Sequence, residues 1–371
     1  MESNTYQRHE SCDRIPTRSV IPTTPESPMP NLEPEFHVED GSVRISPAFT
    51  ELTGAASLAA YTDYLEETNP HYTNPPNLAY GTKPFKFVSR FTGYDTVPWG
   101  TGKEERFGLI YQWSAIPDVY LFAFRGTSSV YDMWKDLESA EVSNFSPYRR
   151  PTGFPNTVHV GEGFNSIYTK KNASMSASMQ DQLFTAVSQL PTTPKTIYIT
   201  GHSLGCALGS LFALDLAASL PGINIVNFNF ASPRVGTSTW KHAYDDLYQL
   251  ESRTVRIRND YDLVPKVPFE YWPFDFQHVG QDFTLSFTLD SFTHDPVVII
   301  EAWHSLLNYR YVLQRATPNT PQVWTGQFKD QAQTHPSWPM TSYDPDAKML
   351  DWSTGNLMQV RRDLSSVAKF M

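Results

Sequence analysis

The chain has 371 residues, of which 40% are hydrophobic and 18% charged, so it is long enough for one large α/β domain or two medium-sized ones. Its net charge of −10 argues against a nucleic-acid partner and against docking on an anionic membrane by charge alone. No segment approaches the roughly 18 consecutive apolar residues of a transmembrane helix, so no membrane-spanning segment is expected.

Residues 1–40 are predicted to form a proline-rich, disordered N-terminal arm. Prolines recur there among serine, threonine and glutamate, and such a segment buries too little apolar surface to fold alone. Residues 1–18 lack the apolar core of a secretory signal, so the expected location is either the cytoplasm or that of a processed, mature form. The two cysteines, Cys12 and Cys206, predict no structural disulfide, because Cys12 lies in the polar arm.

Residues 41–315 alternate segments typical of helices with segments typical of strands, and residues 316–371 form a C-terminal extension of unknown role. Helices are predicted at 47–65, 164–190, 206–214 and 297–313, and strands at 107–113, 119–124, 195–200, 223–228 and 253–257. The strands are nearly continuous apolar runs, as expected where helices cover both faces of a sheet. We therefore predict an α/β fold with a mostly parallel central sheet and helices on both faces.

The most informative motif is the pentapeptide Gly201-His202-Ser203-Leu204-Gly205. It joins a predicted strand to a predicted helix, and a strand, a sharp G-x-S-x-G turn and a helix are typical of a nucleophile elbow. Side chains at the two glycine positions would collide with the neighbouring strand or helix. The pattern predicts that Ser203 is a nucleophile held at the positive end of a helix dipole.

A serine nucleophile needs a base and an acid that orients the base. In chains with this elbow the acid and then the base follow the serine. Asp260 and Asp262 follow the predicted strand at 253–257 and are the candidates for the acid. His278, His294 and His304 are the candidates for the base, and the residues alone leave both choices open.

Six segments between residues 105 and 315 resemble, in order, the motifs of the class 3 lipase family of fungal-type α/β-hydrolases. They are Phe124-Arg125-Gly126-Thr127, Val160-Gly161-Glu162-Gly163-Phe164, the pentapeptide at 201–205, Ala231-Ser232-Pro233-Arg234-Val235-Gly236, Asp262-Leu263-Val264-Pro265, and His304 followed by Tyr309. The resemblance implies an α/β-hydrolase-like fold. It selects Asp262 over Asp260 as the acid and His304 as the base, which completes a catalytic triad with Ser203.

The resemblance also implies an oxyanion hole and a lid. Thr127 and Leu204 are expected to donate to the oxyanion, and Asp136 stands at the spacing of a carboxylate that holds the Thr127 hydroxyl. Candidate lid or substrate-binding residues are Val130, Met133, Trp134 and His202. Trp134 stands one position later than the lid tryptophan often found in this family.

The expected activity is hydrolysis of carboxylic esters through an acyl-enzyme, with an acylglycerol or another lipid ester as substrate and no cofactor or metal. Feruloyl esterase and phospholipase A1 activities use the same triad and remain alternatives. A thioesterase or acyltransferase and a non-catalytic scaffold are alternatives from other classes. The lid is expected to make transient contact with a lipid interface.

Overall fold

A computed structural model describes residues 36–39, 42–95, 102–127, 141–270, 274–285, 296–315 and 327–328. The strands in these ranges are β1 (Phe36–Glu39), β2 (Ser42–Ile45), β3 (Phe85–Tyr94), β4 (Glu104–Trp113), β5 (Val119–Phe124), β6 (Val142–Asn144), β7 (His159–Gly161), β8 (Thr196–His202), β9 (Asn224–Phe230), β10 (Thr254–Asn259), β11 (Gln281–Leu285) and β12 (Gln327–Phe328).

The described α-helices are α1 (Pro47–Leu65), α2 (Glu162–Thr169), α3 (Met179–Ser188), α4 (Leu204–Ser219), α5 (Ser238–Lys241), α6 (Pro296–His304) and α7 (Leu306–Arg315). A π-helix (His242–Leu247) and two 3-10 turns (Glu251–Arg253 and Val264–Lys266) complete the helical segments of the described chain. None of the described helices is both long enough and apolar enough to cross a membrane.

The central sheet has the strand order β12-β11-β10-β9-β8-β5-β4-β3. Pairing is parallel from β5 through β8, β9, β10 and β11 to β12, and antiparallel between β3, β4 and β5. Helices lie on both faces of the sheet, which confirms the predicted α/β class.

The register of the parallel strands brings their carboxyl ends to one edge. Phe124 of β5 lies beside Gly201 of β8, and His202 lies beside Phe230 of β9, which in turn lies beside Ile257 of β10. Loops that follow such strand ends are where ligand sites form in open α/β sheets. The predicted catalytic segments therefore emerge together.

Side chains of β8 alternate between two cores. Ile197 and Ile199 pack with the apolar residues of α2, α3 and α4. Tyr198 points to the other face, where its ring centroid lies 4.5 Å from that of Phe49 on α1. α4 is buried on nearly all sides, as expected of a helix that is apolar around its whole circumference.

α4 carries one buried carboxylate, Asp215, which fastens it to its surroundings. The carboxylate accepts hydrogen bonds from Gln180 Nε2 (2.6 Å), the Tyr148 backbone N–H (2.6 Å), the Ser219 hydroxyl (2.9 Å) and the Tyr168 hydroxyl (3.0 Å). Burial raises the pKa of Asp215 to about 6, although these four donors favour the ionised form.

Two predicted helices are each divided in the structure. The segment at 164–190 becomes α2 and α3, because Asn172 between them accepts hydrogen bonds from the backbone N–H groups of Ser174 and Met175 and so competes with helical bonding. The segment at 297–313 becomes α6 and α7, and the interruption falls at Ser305, directly after the candidate base.

Two described strands lie outside the predicted domain of residues 41–315. β1 lies inside residues 1–40, which the sequence assigned to the arm, and Phe36 packs its ring against Phe228 at 5.7 Å. Phe36 has apolar surface to bury, so the ordered part of the described chain includes residues 36–39. β12 lies inside the extension 316–371 and pairs with β11, so the extension contributes to the sheet.

Candidate active site

The turn between β8 and α4 consists of Ser203 alone. Its backbone has a φ of 59° and a ψ of −130°. A positive φ in a residue with a side chain costs about 1–3 kcal/mol, and such residues cluster at functional sites. The Ser203 backbone N–H donates to the Phe230 carbonyl at 3.0 Å, which fixes the turn against β9.

The two glycines of the pentapeptide stand where no side chain fits. A Cβ on Gly201 would lie 2.5 Å from the backbone carbon of Gly205, and a Cβ on Gly205 would lie 2.6 Å from the Arg125 carbonyl oxygen. The turn is thus packed tightly against both its own helix and the end of β5. These close approaches are the collisions that the sequence predicted for side chains at the two glycine positions.

Leu204 is the first residue of α4 and directly follows Ser203. Its backbone N–H is one of the four at the start of a helix that have no partner within the helix. The N-terminal end of α4 therefore presents N–H groups and a positive partial charge beside Ser203. This is the position expected for one oxyanion donor.

The structure brings Asp262 and His304 together. His304 Nδ1 lies 2.8 Å from Oδ2 and 3.0 Å from Oδ1 of Asp262, and both side chains are almost completely buried. A carboxylate only accepts, so Nδ1 carries the proton, and in the neutral ring Nε2 holds the free lone pair. His304 Nε2 is buried and has no hydrogen-bond partner among the described residues.

Two further donors hold the Asp262 carboxylate. The Val264 backbone N–H donates to Oδ1 and the Tyr309 hydroxyl donates to Oδ2, each at 2.9 Å. The Tyr309 hydroxyl accepts in turn from the Asn259 backbone N–H at 2.7 Å. Burial raises the pKa of Tyr309 well above its ordinary value, so it remains a donor. These contacts fix the Asp262 carboxylate in position.

The competing candidates lie elsewhere. Asp260 forms an ion pair with Arg258 at 2.7 Å, and 43% of its side chain is exposed. His278 Nε2 donates to the Pro265 carbonyl at 2.7 Å. His294 is outside the described residues. Of the candidates that are described, Asp262 and His304 are the pair in contact.

His202 does not fit the predicted role in a lid or substrate pocket. Its ring is buried, with its centroid 4.6 Å from that of His304. Nε2 lies 2.7 Å from the His304 carbonyl oxygen and Nδ1 lies 2.8 Å from the Tyr61 hydroxyl. Burial, followed by the neighbouring His304, lowers the pKa of His202 well below its ordinary value, so the ring is neutral. Both ring nitrogens are engaged inside the protein and leave none for substrate.

The segment after β5 is anchored by a buried guanidinium. Arg125 donates to the Gly126 carbonyl (2.7 Å), to the Arg106 carbonyl (2.7 Å) and to Glu105 Oε2 (2.6 Å). Its guanidinium carbon also lies 3.8 Å from the Tyr64 ring centroid and 4.3 Å from the Phe107 ring centroid. The backbone that leads to Thr127 is therefore held from both sides.

Gly126 packs directly against the elbow. A Cβ at this position would collide with the Tyr61 hydroxyl and would lie 2.7 Å from the His202 carbonyl oxygen and 2.8 Å from Ser203 Cβ. The structure thus places Thr127, the next residue, close to Ser203. The predicted residues Val130, Met133, Trp134 and Asp136 lie outside the described residues.

Three contributors to the site were not assigned a role from the sequence: Tyr61, Arg125 and the Tyr309 hydroxyl. Arg125 and Tyr309 lie inside motifs that carry the family resemblance, and this position could have indicated that they contribute to the site. Tyr61 gives no signal, because it reads only as part of the apolar pattern of the helix at 47–65. Among the described residues, no group of three or more His, Cys, Asp or Glu side chains is placed to hold a metal ion.

Comparison with known proteins finds a match to one family model. The family model described as Lipase (class 3) matches residues 121–272. Phospholipase A1-II 6 of Oryza sativa subsp. japonica is 32% identical over 164 residues, which are 39% of this chain and 39% of the relative. The chloroplastic galactolipase DONGLE of Arabidopsis thaliana is 28% identical over 191 residues, which are 47% of this chain and 39% of the relative. The matched part spans less than half the length of these relatives.

Solved lipase structures share the fold. M37 lipase has a TM-score of 0.53 and 18% identity, with 73% of this chain and 95% of that chain covered. Lip2 lipase of Yarrowia lipolytica has a TM-score of 0.50 and 21% identity, with 71% and 85% covered. At these identities the likeness supports the architecture and not the substrate.

Proposed function

We propose that the chain belongs to the class 3 lipase family, whose model matches residues 121–272, and that it hydrolyses carboxylic esters of lipids through an acyl-enzyme. Ser203 is the nucleophile, His304 the general base and Asp262 the acid that orients it. The observation that carries this proposal is the buried contact between His304 Nδ1 and both Asp262 oxygens, which assigns Nε2 as the basic nitrogen.

The reaction proceeds in two half-reactions. His304 Nε2 takes the proton of the Ser203 hydroxyl as Oγ attacks the ester carbonyl, and then gives that proton to the leaving alcohol as the ester C–O bond breaks. Water attacks the acyl-enzyme in the same way and releases the acid. Asp262 stabilises the imidazolium in both tetrahedral transition states without itself being protonated.

The oxyanion is stabilised by donors that are fixed before the substrate arrives. The Leu204 backbone N–H is one, and the Thr127 backbone N–H, with the Thr127 hydroxyl, is the other. Such preorganised donors are worth about 3–4 kcal/mol each in transition-state stabilisation. Asp136 is proposed to hold the Thr127 hydroxyl, as the family resemblance implies.

A polar glycerolipid is the second, narrower candidate substrate. The names of two relatives, phospholipase A1 and galactolipase, favour this substrate over a feruloyl ester. Both names refer to enzymes that act on glycerolipids with a polar head group. We also propose that residues 128–136 form a lid that makes transient contact with the lipid interface.

The first experiment tests the nucleophile. A p-nitrophenyl phosphonate should label one serine in the full chain, and Ser203→Ala should abolish both labelling and ester turnover. Ser188→Ala is the matched control, because Ser188 is an exposed serine at the end of α3. Labelling that survives in Ser203→Ala would refute the proposal, and full turnover with no labelling would point to another chemistry.

The second experiment tests the substrate class. Fatty-acid release is measured from phosphatidylcholine vesicles, from galactolipid vesicles and from a triacylglycerol emulsion. Hydrolysis of methyl ferulate and of an acyl-thioester is measured in solution. The phosphatidylcholine and the galactolipid each carry different acyl chains at their sn-1 and sn-2 positions, so that release from sn-1 identifies phospholipase A1 activity. Turnover of the thioester or the ferulate alone would reject lipid esters as the substrate class.

A further inference from the structure

A chain of polar contacts, partly buried at Tyr61 and buried at His202, joins the three catalytic segments. We call residues 125–127, which follow β5, the oxyanion segment. The Tyr61 hydroxyl touches Gly126 of this segment and lies 2.8 Å from His202 Nδ1. His202, which directly precedes Ser203, reaches the His304 carbonyl through Nε2 at 2.7 Å. One pair of side chains thus connects the oxyanion segment, the elbow and the base.

Elementary donor and acceptor rules fix the direction of every proton in this chain. The His304 carbonyl only accepts, so His202 Nε2 carries a proton. In the neutral ring Nδ1 is then an acceptor, so the Tyr61 hydroxyl must donate to it. The Tyr61 oxygen is left to accept from the Gly126 backbone N–H. Each group has a single role, which makes the arrangement specific.

The division between α6 and α7 shows that the fold gives up a helical bond to make this contact. In a continuous helix the His304 carbonyl would accept from the Asn308 backbone N–H. Here the Asn308 and Tyr309 N–H groups both donate to the Ser305 carbonyl, at 2.9 and 3.0 Å. The His304 carbonyl is therefore available to His202, and the backbone of the base is tied to the elbow.

We propose that Tyr61 and His202 form a positioning pair that sets the backbone of His304 and the oxyanion segment relative to Ser203. The pair rests on the proposed function of the same site. Since it contacts the backbone of these segments and not the substrate, its loss should lower kcat and leave KM nearly unchanged.

The first test removes one hydroxyl. Tyr61→Phe should lower kcat about 10-fold at constant KM, because one buried hydrogen bond is lost and His202 Nδ1 is left without a donor. The matched control is Tyr111→Phe, which removes a buried hydroxyl that has no hydrogen-bond partner among the described residues. All rates are divided by the number of sites titrated with a phosphonate, so that a variant that merely folds poorly keeps its kcat per site.

The second test separates hydrogen bonding from packing at His202. His202→Gln keeps a donor for the His304 carbonyl and an acceptor for Tyr61, and it should retain kcat within about 10-fold. His202→Leu fills similar space but leaves both partners unpaired, and it should lose about 100-fold. Because the pair acts as one device, adding Tyr61→Phe to His202→Leu should change kcat by less than about 2-fold.

The outcomes separate this proposal from the function it rests on. Equal turnover in the wild-type protein and in Ser203→Ala would overturn both. Turnover that depends on Ser203, together with an unchanged kcat per site in Tyr61→Phe, would overturn the positioning pair alone. Equal losses in His202→Gln and His202→Leu, or a loss confined to KM, would also overturn it.

Discussion

Asp262→Asn is the sharpest single perturbation of the site, because it changes one atom and reverses the role of the base. The amide oxygen can stay at the Oδ1 position, where it accepts from the Val264 N–H at 2.9 Å. The amide nitrogen then occupies the Oδ2 position, 2.8 Å from His304 Nδ1 and 2.9 Å from the Tyr309 oxygen. An amide N–H donates, so Nδ1 becomes the acceptor and the proton moves to Nε2.

The structure separates the catalytic loss from the stability loss. An Nε2-protonated ring cannot take the Ser203 proton, and the imidazolium has lost its counter-charge, so we expect kcat to fall on the order of 10⁴-fold, or about 5.5 kcal/mol. The Tyr309 oxygen can accept from the new amide and keep its bond from Asn259, which leaves about one hydrogen bond unmade. Stability should therefore fall by only about 1 kcal/mol.

Single-turnover acylation with a chromogenic ester and urea unfolding of the same preparations measure the two losses. Asp260→Asn is the control, because it removes a half-exposed ion pair with Arg258 that is worth at most about 1 kcal/mol. A loss in Asp260→Asn as large as that in Asp262→Asn would refute the assignment of the acid. A kcat loss below 10-fold in Asp262→Asn would refute the tautomer argument.

The oxyanion segment and the buried carboxylate of α4 give two more predictions. Thr127→Val should lower kcat by roughly 10²–10³ with little change in KM, while Thr127→Ser stays nearly neutral; an undiminished kcat in Thr127→Val would mean that backbone donors suffice. The pKa of Asp215 is raised to about 6 from its ordinary 3.8, so the folded state binds this proton more tightly than the unfolded state. Stability should therefore fall by up to about 3 kcal/mol as pH rises from 4 to 6, and urea unfolding of Asp215→Asn should lack this slope. A slope that persists in Asp215→Asn would assign it to other groups.

The parts of the fold that the sequence predicts well are those with a strong local pattern. The strand at 119–124 is a continuous apolar run and the one at 195–200 is rich in β-branched and aromatic residues, and the structure places β5 and β8 within two residues of the predicted bounds. The helix at 47–65 matches α1, which begins with a proline after the capping residue Ser46. In each case one short segment contains all the information needed.

β3 was missed because its stability comes from its neighbour. The segment Phe85–Tyr94 mixes Lys86, Ser89 and Arg90 with aromatic residues, so that its burial is mostly intermediate and its alternation weak. It forms a strand through nine residue pairs with β4, with two irregularities in register. A strand on the edge of a sheet carries less of its own pattern than a central strand does.

The residues of the site also differ in whether the local sequence or only the folded structure identifies them. Ser203 and its glycines are predicted locally, since the elbow is made by neighbours in the chain. The choice of Asp262 needed the family resemblance, because the contact with His304 that distinguishes it from Asp260 exists only in three dimensions. The positions of Tyr61 and His202 depend on how α1 docks beneath the elbow, and no spacing in the sequence encodes that.

The path of the chain through the site has a consequence for folding. The contact between Tyr61 and His202 joins residues 141 positions apart, and that between His202 and His304 joins residues 102 positions apart. Contacts at such separations close large loops. They form late, because the chain loses the entropy of loop closure before the contact stabilises the fold. Productive geometry at Ser203 therefore exists only after α1, near the start of the domain, and α6, near its end, have both docked. During refolding, recovery of esterase activity should coincide with the slowest phase, and regain of helix signal should precede it. The proposed esterase activity would therefore measure the assembly of the whole domain.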